Sequence, residues 1–82
     1  MAPEKDDEKL KIYFGEALRR LREERGLSQE ELGYESGYHR TYISQLERGQ
    51  KSPSIQTIFQ LARALNLKPR ELVKAVEDKI NK

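Results

Sequence analysis

The chain has no cysteine and no tryptophan, and only one histidine and three prolines among its 82 residues. Without cysteine there is neither a disulfide nor a thiolate metal ligand. A lone histidine cannot hold a metal unless several carboxylates converge on it, so neither a metal nor any other cofactor is expected. With four tyrosines and two phenylalanines, the core must be mainly aliphatic. No apolar run approaches the roughly 20 residues of a membrane span, and the opening MAPEKDDEKL has no apolar signal-peptide centre. A soluble protein of a reducing cytoplasm is expected, with no membrane partner. There is no nucleophile–base pair and no phosphate-cradling glycine loop, so no catalysis is expected either.

Charge is abundant but nearly balanced, at 37% of residues and a net of +2. Its distribution says more. Residues 1–35 carry seven basic and ten acidic side chains. Between residues 36 and 70, Arg40, Arg48, Lys51, Arg63, Lys68 and Arg70 face Glu47 alone. A surface that meets phosphate needs such a local excess, although an unevenly solvated surface gives the same count.

Periodicity and capping signals divide the chain into five helices. Residues 1–9 read as a disordered tail and residues 10–82 as one domain. Phe14, Leu18 and Leu21, with Ala17 beside them, give one apolar stripe from Leu10 to Arg25. Gly26 ends that helix. Ser28 and Glu31 form a capping box for a short helix from Gln29 to Ser36, with Leu32 facing inward. Gly33 costs that helix up to about 1 kcal/mol of propensity relative to alanine, but its small size allows a neighbouring helix to approach closely. Gly37 permits a sharp turn into a helix over Arg40–Arg48, with Ile43 and Leu46 inward. Ser54 caps a fourth helix whose apolar stripe is read as Ile55, Ile58, Phe59, Ala62 and Leu65. Asn66 terminates it, and Pro69 opens a fifth helix over about 69–80.

Two short helices joined by a glycine turn, over about residues 28–49, have the build of a helix-turn-helix. The quoted segments carry the resemblance further. LRxxRGLSQEEL at Leu21–Leu32, the Ser36–Gly37 turn, RTYISQLERG at Arg40–Gly49, Pro53 and LARALNLKPREL at Leu61–Leu72 resemble the Cro/C1-type (XRE-like) helix-turn-helix family. The family comprises phage repressors and their bacterial relatives, restriction-modification controllers among them. The resemblance spans roughly residues 12–73. It implies an all-α, compact five-helix, lambda-repressor-like domain that binds double-stranded DNA and regulates transcription, as a repressor or an activator.

With Ile43 and Leu46 facing the core, Arg40, Thr41, Ser44 and Gln45 project from the opposite side of their helix. Arg40 matches guanine O6 and N7, and Gln45 matches adenine. Thr41 offers a methyl to thymine or a hydroxyl to a base or phosphate. Taken alone, these four residues read better as an ordinary polar face, and it is their place in the motif that favours base contact, for Arg40 and Thr41 above Ser44 and Gln45. The expected phosphate contacts are Gln29 at the start of the first motif helix, Tyr42 and Arg48 beside the reading face, and Lys51 and Ser52 in the following loop. Tyr42 also reads as a ring packed on its own surface. The resemblance further implies that Arg22 and Glu47 pair within the scaffold. His39 stands at the N-cap where Ser, Thr or Asp is typical. It reads as a poor cap or as a residue that reaches DNA itself with a pH-dependent grip, and a partly exposed turn residue is the simpler and preferred reading.

One recognition helix reads too few base pairs for a genome-wide search, so a homodimer on a two-fold symmetric site is expected. Leu72, Val73 and Val76 of the fifth helix are the expected dimer surface. Glu30, Glu31 and Glu35 offer a surface for RNA polymerase, though a solvated acidic face is the simpler reading. The competing function is a protein-interaction module or antitoxin with DNA binding secondary. A steep salt dependence of DNA binding would distinguish the two.

Overall fold

The computed structural model describes residues 4–81. Five helices occupy them: α1 (Glu4–Glu24), α2 (Gln29–Ser36), α3 (Arg40–Glu47), α4 (Ile55–Ala64) and α5 (Pro69–Ile80). There is no strand among the described residues. α1 packs across α3 and α5, α2 lies against α3 and α4, and α4 against α5. The all-α, five-helix expectation is met.

The N-terminal boundary differs from the expected tail. Residues 1–3 lie outside the described residues, but Glu4–Lys9 already belong to α1. Acidic residues concentrated at the start of a helix complement its partial positive charge. Their straight-chain neighbours carry good helix propensity, so a helix anchored by Phe14, Ala17 and Leu18 extends backwards at little cost.

The capping signals act as read. Ser28 Oγ accepts from Glu31 N–H at 3.0 Å, and Glu31 Oε1 accepts from Ser28 N–H at 2.8 Å. Gly37 adopts φ 84°, and Tyr38 N–H returns to the Gly33 carbonyl at 2.8 Å. A left-handed residue is needed there to reverse the chain between α2 and α3. At α5, Glu71 reaches back to Lys68 N–H at 2.7 Å, with Pro69 opening the first turn.

The structure gives Gly33 a reason that propensity does not. A Cβ on Gly33 would stand 2.5 Å from the Tyr38 carbonyl oxygen and 3.3 Å from Arg40 N. The missing side chain therefore lets the α2–α3 turn close directly onto α2.

The core is Phe14, Ala17, Leu18, Leu32, Ile43, Leu46, Leu61, Ala62, Leu65, Leu72, Ala75 and Val76. Two expectations fail here. On α4 the inward set is Thr57, Ile58, Leu61, Ala62 and Leu65, whereas Ile55 and Phe59 are 69% and 52% exposed. The stripe was phased on the most apolar residues, but packing against α2 and α5 turns the face carrying Thr57 inward. On α5, Leu72 is fully buried and Val76 nearly so. Both fill the core of their own domain, so neither is free to form a dimer surface, and only Val73 of that trio remains exposed.

Candidate nucleic-acid interface

α3 is held from behind by a buried ion pair. Arg22 Nη2 donates to Glu47 Oε1 at 2.9 Å and Arg22 Nε donates to Glu47 Oε2 at 2.6 Å. Arg22 Nη1 also donates to the Leu27 carbonyl at 2.8 Å. Only 11% of the Arg22 side chain and 3% of the Glu47 side chain is exposed. The hydrogen bond to Glu47 raises the Arg22 pKa above its ordinary value despite burial, so the guanidinium stays charged. This fork joins the end of α1 to the last turn of α3, as the resemblance implies. It also holds Gln29, whose Nε2 donates to Glu47 Oε1 at 3.0 Å. The expected phosphate ligand is thus oriented by the scaffold and keeps one amide N–H for another partner.

A second network fixes the other side of α3. Thr57, buried on α4, brings together the hydroxyls of Ser54 (3.0 Å), Tyr38 (3.1 Å) and Tyr42 (3.3 Å). The Tyr38 and Tyr42 rings pack at 5.1 Å between centroids, tilted by 52°. Tyr42 was expected to clamp phosphate, but its hydroxyl is directed at Thr57 and its ring at Tyr38. This is the packed-ring alternative. Thr57 is polar and so no candidate for an apolar stripe, but its spacing of four from Leu61 places it on the inward face.

Between these supports, Gln29, Arg40, Thr41, Ser44 and Arg48 line one open, polar concavity on the surface. Five of the nine sequence-predicted DNA contacts therefore converge. Gln45 is half-buried and stands outside this lining, as do Lys51 and Ser52. Ser52 instead lines an apolar groove with Pro53. Arg40, Thr41 and Arg48 are exposed, and among the described residues no ion pair engages Arg40 or Arg48.

The N-cap of α3 corrects a further expectation. His39 is an effective cap: its Nδ1 accepts from Thr41 N–H at 3.0 Å. Its carbonyl accepts from Tyr42 N–H at 3.0 Å and Ile43 N–H at 3.3 Å.

A short helix, steadied on both flanks and presenting Arg, Thr and Ser beside the start of a second helix, defines a helix-turn-helix DNA reader. A helix-turn-helix family profile matches residues 18–72. The chain belongs to this family, in its XRE-like branch. It is 42% identical to an uncharacterised HTH-type transcriptional regulator, y4dJ, of Sinorhizobium fredii, over 84% of this chain and 90% of that protein. It is 37% identical to the control protein C.BamHI of Bacillus amyloliquefaciens, covering 78% and 80% of the two chains. Among solved structures, the restriction-modification controller protein C.AhdI of Aeromonas hydrophila matches with a TM-score of 0.74 and 48% identity. That match covers 76% of this chain and 94% of the other. Fold, family and reading face together are those of a sequence-specific DNA-binding transcriptional regulator.

Proposed function

We propose that this chain regulates transcription in the cytoplasm by binding, as a homodimer, a two-fold symmetric DNA operator. α3 lies in the major groove of each half-site. The observation that carries this reading is the single concavity lined by Gln29, Arg40, Thr41, Ser44 and Arg48. Arg40 and Thr41 open α3, where side chains reach base edges, while Gln29 and Arg48 flank them as phosphate contacts. Similarity along most of the length of C.AhdI and C.BamHI supports a controller-like role in a restriction-modification system. Selection of sites from random duplex DNA tests the reading. An enriched symmetric site, with one position per half-site relaxed by Arg40→Ala, is the expected result. Failure to enrich any sequence at moderate salt would remove it.

Burial of Leu72 and Val76 moves the proposed dimer surface outward. Val73 is 47% exposed and Leu10 likewise. With the half-buried Pro53 and Ile58 they rim an apolar groove of about 250 Å³, with the buried Phe14 and Val76 behind them. Ile55 and Phe59 protrude from the helix that supplies Ile58. Apolar side chains left in water on two packed helices favour association. Phe59→Glu and Val73→Glu are expected to yield monomers in sedimentation equilibrium without lowering the stability of the domain.

Contact with RNA polymerase is a second reading, and Tyr34 favours it. Its side chain is 86% exposed on α2, with Glu30 and Glu35 exposed on the same helix. Glu31 is engaged at the capping box. A bare aromatic ring among carboxylates suits a basic protein surface. Tyr34→Ala is expected to abolish activation of a reporter promoter while leaving operator binding unchanged.

A further inference from the structure

Resting on the DNA-binding reading above, we infer that His39 is an additional DNA contact. It donates a hydrogen bond from Nε2 to a backbone phosphate oxygen at the edge of each half-site.

The cap fixes the chemistry of the ring. Because Thr41 N–H donates to Nδ1 at 3.0 Å, Nδ1 carries no proton, and the neutral imidazole bears its single proton on Nε2. The cap bond also fixes the ring's direction, since the backbone N–H it satisfies belongs to the first turn of α3. Nε2 lies across the ring from that bond, so the N–H points away from the helix end. His39 is exposed and immediately precedes Arg40 and Thr41, both of which line the polar concavity. No side chain among the described residues accepts a hydrogen bond from its Nε2.

Most of the usual cap residues cannot do this. Serine and threonine are too short to cap the helix and also reach beyond it, aspartate has no proton and repels phosphate, and asparagine holds its amide donor closer to the backbone than Nε2. Histidine caps with one nitrogen and donates with the other. Phosphate is the favoured acceptor because His39 stands before the first helical turn. It therefore flanks Arg40 and Thr41, the residues placed to enter the groove, and contacts outside the groove floor go mostly to the backbone.

The test separates capping from contact. Serine is an equally good N-cap and too short to reach beyond the helix end, so His39→Ser keeps the Thr41 bond and removes the extended donor. His39→Ala removes both. Each variant is melted thermally and titrated by fluorescence anisotropy on the selected operator and on a scrambled duplex. His39→Ser is expected to melt like the wild type and to bind both duplexes at least about tenfold more weakly, the scale of one hydrogen bond to a charged group. His39→Ser binding like the wild type, with only His39→Ala losing affinity, would reduce His39 to a cap and overturn the inference. Weakening confined to one operator base pair, with the scrambled duplex unaffected, would overturn the phosphate assignment in favour of base reading. Absence of any duplex binding by the wild type would instead remove the DNA-binding reading itself, and this inference with it.

Discussion

Replacing Arg22 with methionine should be among the most damaging single changes in this chain, and the reason is electrostatic. The substitution leaves the Glu47 carboxylate, 3% exposed, with Gln29 Nε2 as its one remaining side-chain partner. It also removes the donor to the Leu27 carbonyl. Breaking a buried ion pair from one side costs about 3–5 kcal/mol, a large share of the roughly 5–15 kcal/mol that stabilises a small domain. At about 4–8 °C per kcal/mol for this size, the melting temperature should fall by on the order of 20 °C. The double variant Arg22→Met/Glu47→Leu carries no buried charge. It should recover most of that loss, short of about 1–3 kcal/mol for the Leu27 carbonyl and the Gln29 amide left without partners. Urea denaturation followed by circular dichroism, run as a double-mutant cycle, measures the coupling. Arg20–Glu24 serves as the control, because both side chains are about half exposed and such a pair contributes roughly 0.3–0.5 kcal/mol. If Arg22→Met cost less than about 1 kcal/mol, or if the two single losses simply added, the fork would be no stronger than a surface pair. The account of how α3 is anchored would then be wrong.

Three further outcomes follow from particular contacts. Gly15→Ala should destabilise the domain by about 1–3 kcal/mol. Its Cβ would stand 2.4 Å from the Leu46 carbonyl oxygen and 2.6 Å from that of Glu47, outweighing a propensity gain of about 1 kcal/mol; equal stability in urea denaturation would show that α1 and α3 separate freely. Thr57→Val should cost about 1–3 kcal/mol by leaving the Tyr38, Tyr42 and Ser54 hydroxyls short of a partner, read as a lowered melting temperature. Arg40→Ala should weaken operator binding by about 1–3 kcal/mol and relax one base position, whereas Arg48→Ala should weaken all duplexes alike and lower the salt slope by about one. Matching losses from the two changes, on both operator and scrambled DNA, would contradict their different assignments.

Local chemistry determined much of this molecule from sequence alone. The extents of α2 and α3, the Ser28–Glu31 box, the Gly37 turn and the Pro69 start depend on neighbouring residues and on backbone preferences that act at short range. They were legible for that reason. The clustering of Arg40, Thr41, Ser44 and Arg48 was also legible, because helical periodicity fixes which side chains share a face once Ile43 and Leu46 point inward, whereas Gln29, on α2, joins them only through the packing of α2 on α3 and its bond to Glu47. Tertiary structure alone decided which apolar residues are buried. Ile55 and Phe59 are as hydrophobic as the residues that fill the core, yet they face outward because α2 and α5 cover the opposite side of α4. Leu72 and Val76 belong to the core rather than to a dimer surface because α5 lies against α1 and α4. The direction of the Tyr42 hydroxyl depends on Thr57, fifteen residues away, and the function of Gly33 depends on the path of a turn that folds back over it. Burial and hydrogen-bond partnership are set by what packs opposite a side chain, and that is a property of the assembled helices that a residue's own neighbours in the chain do not encode.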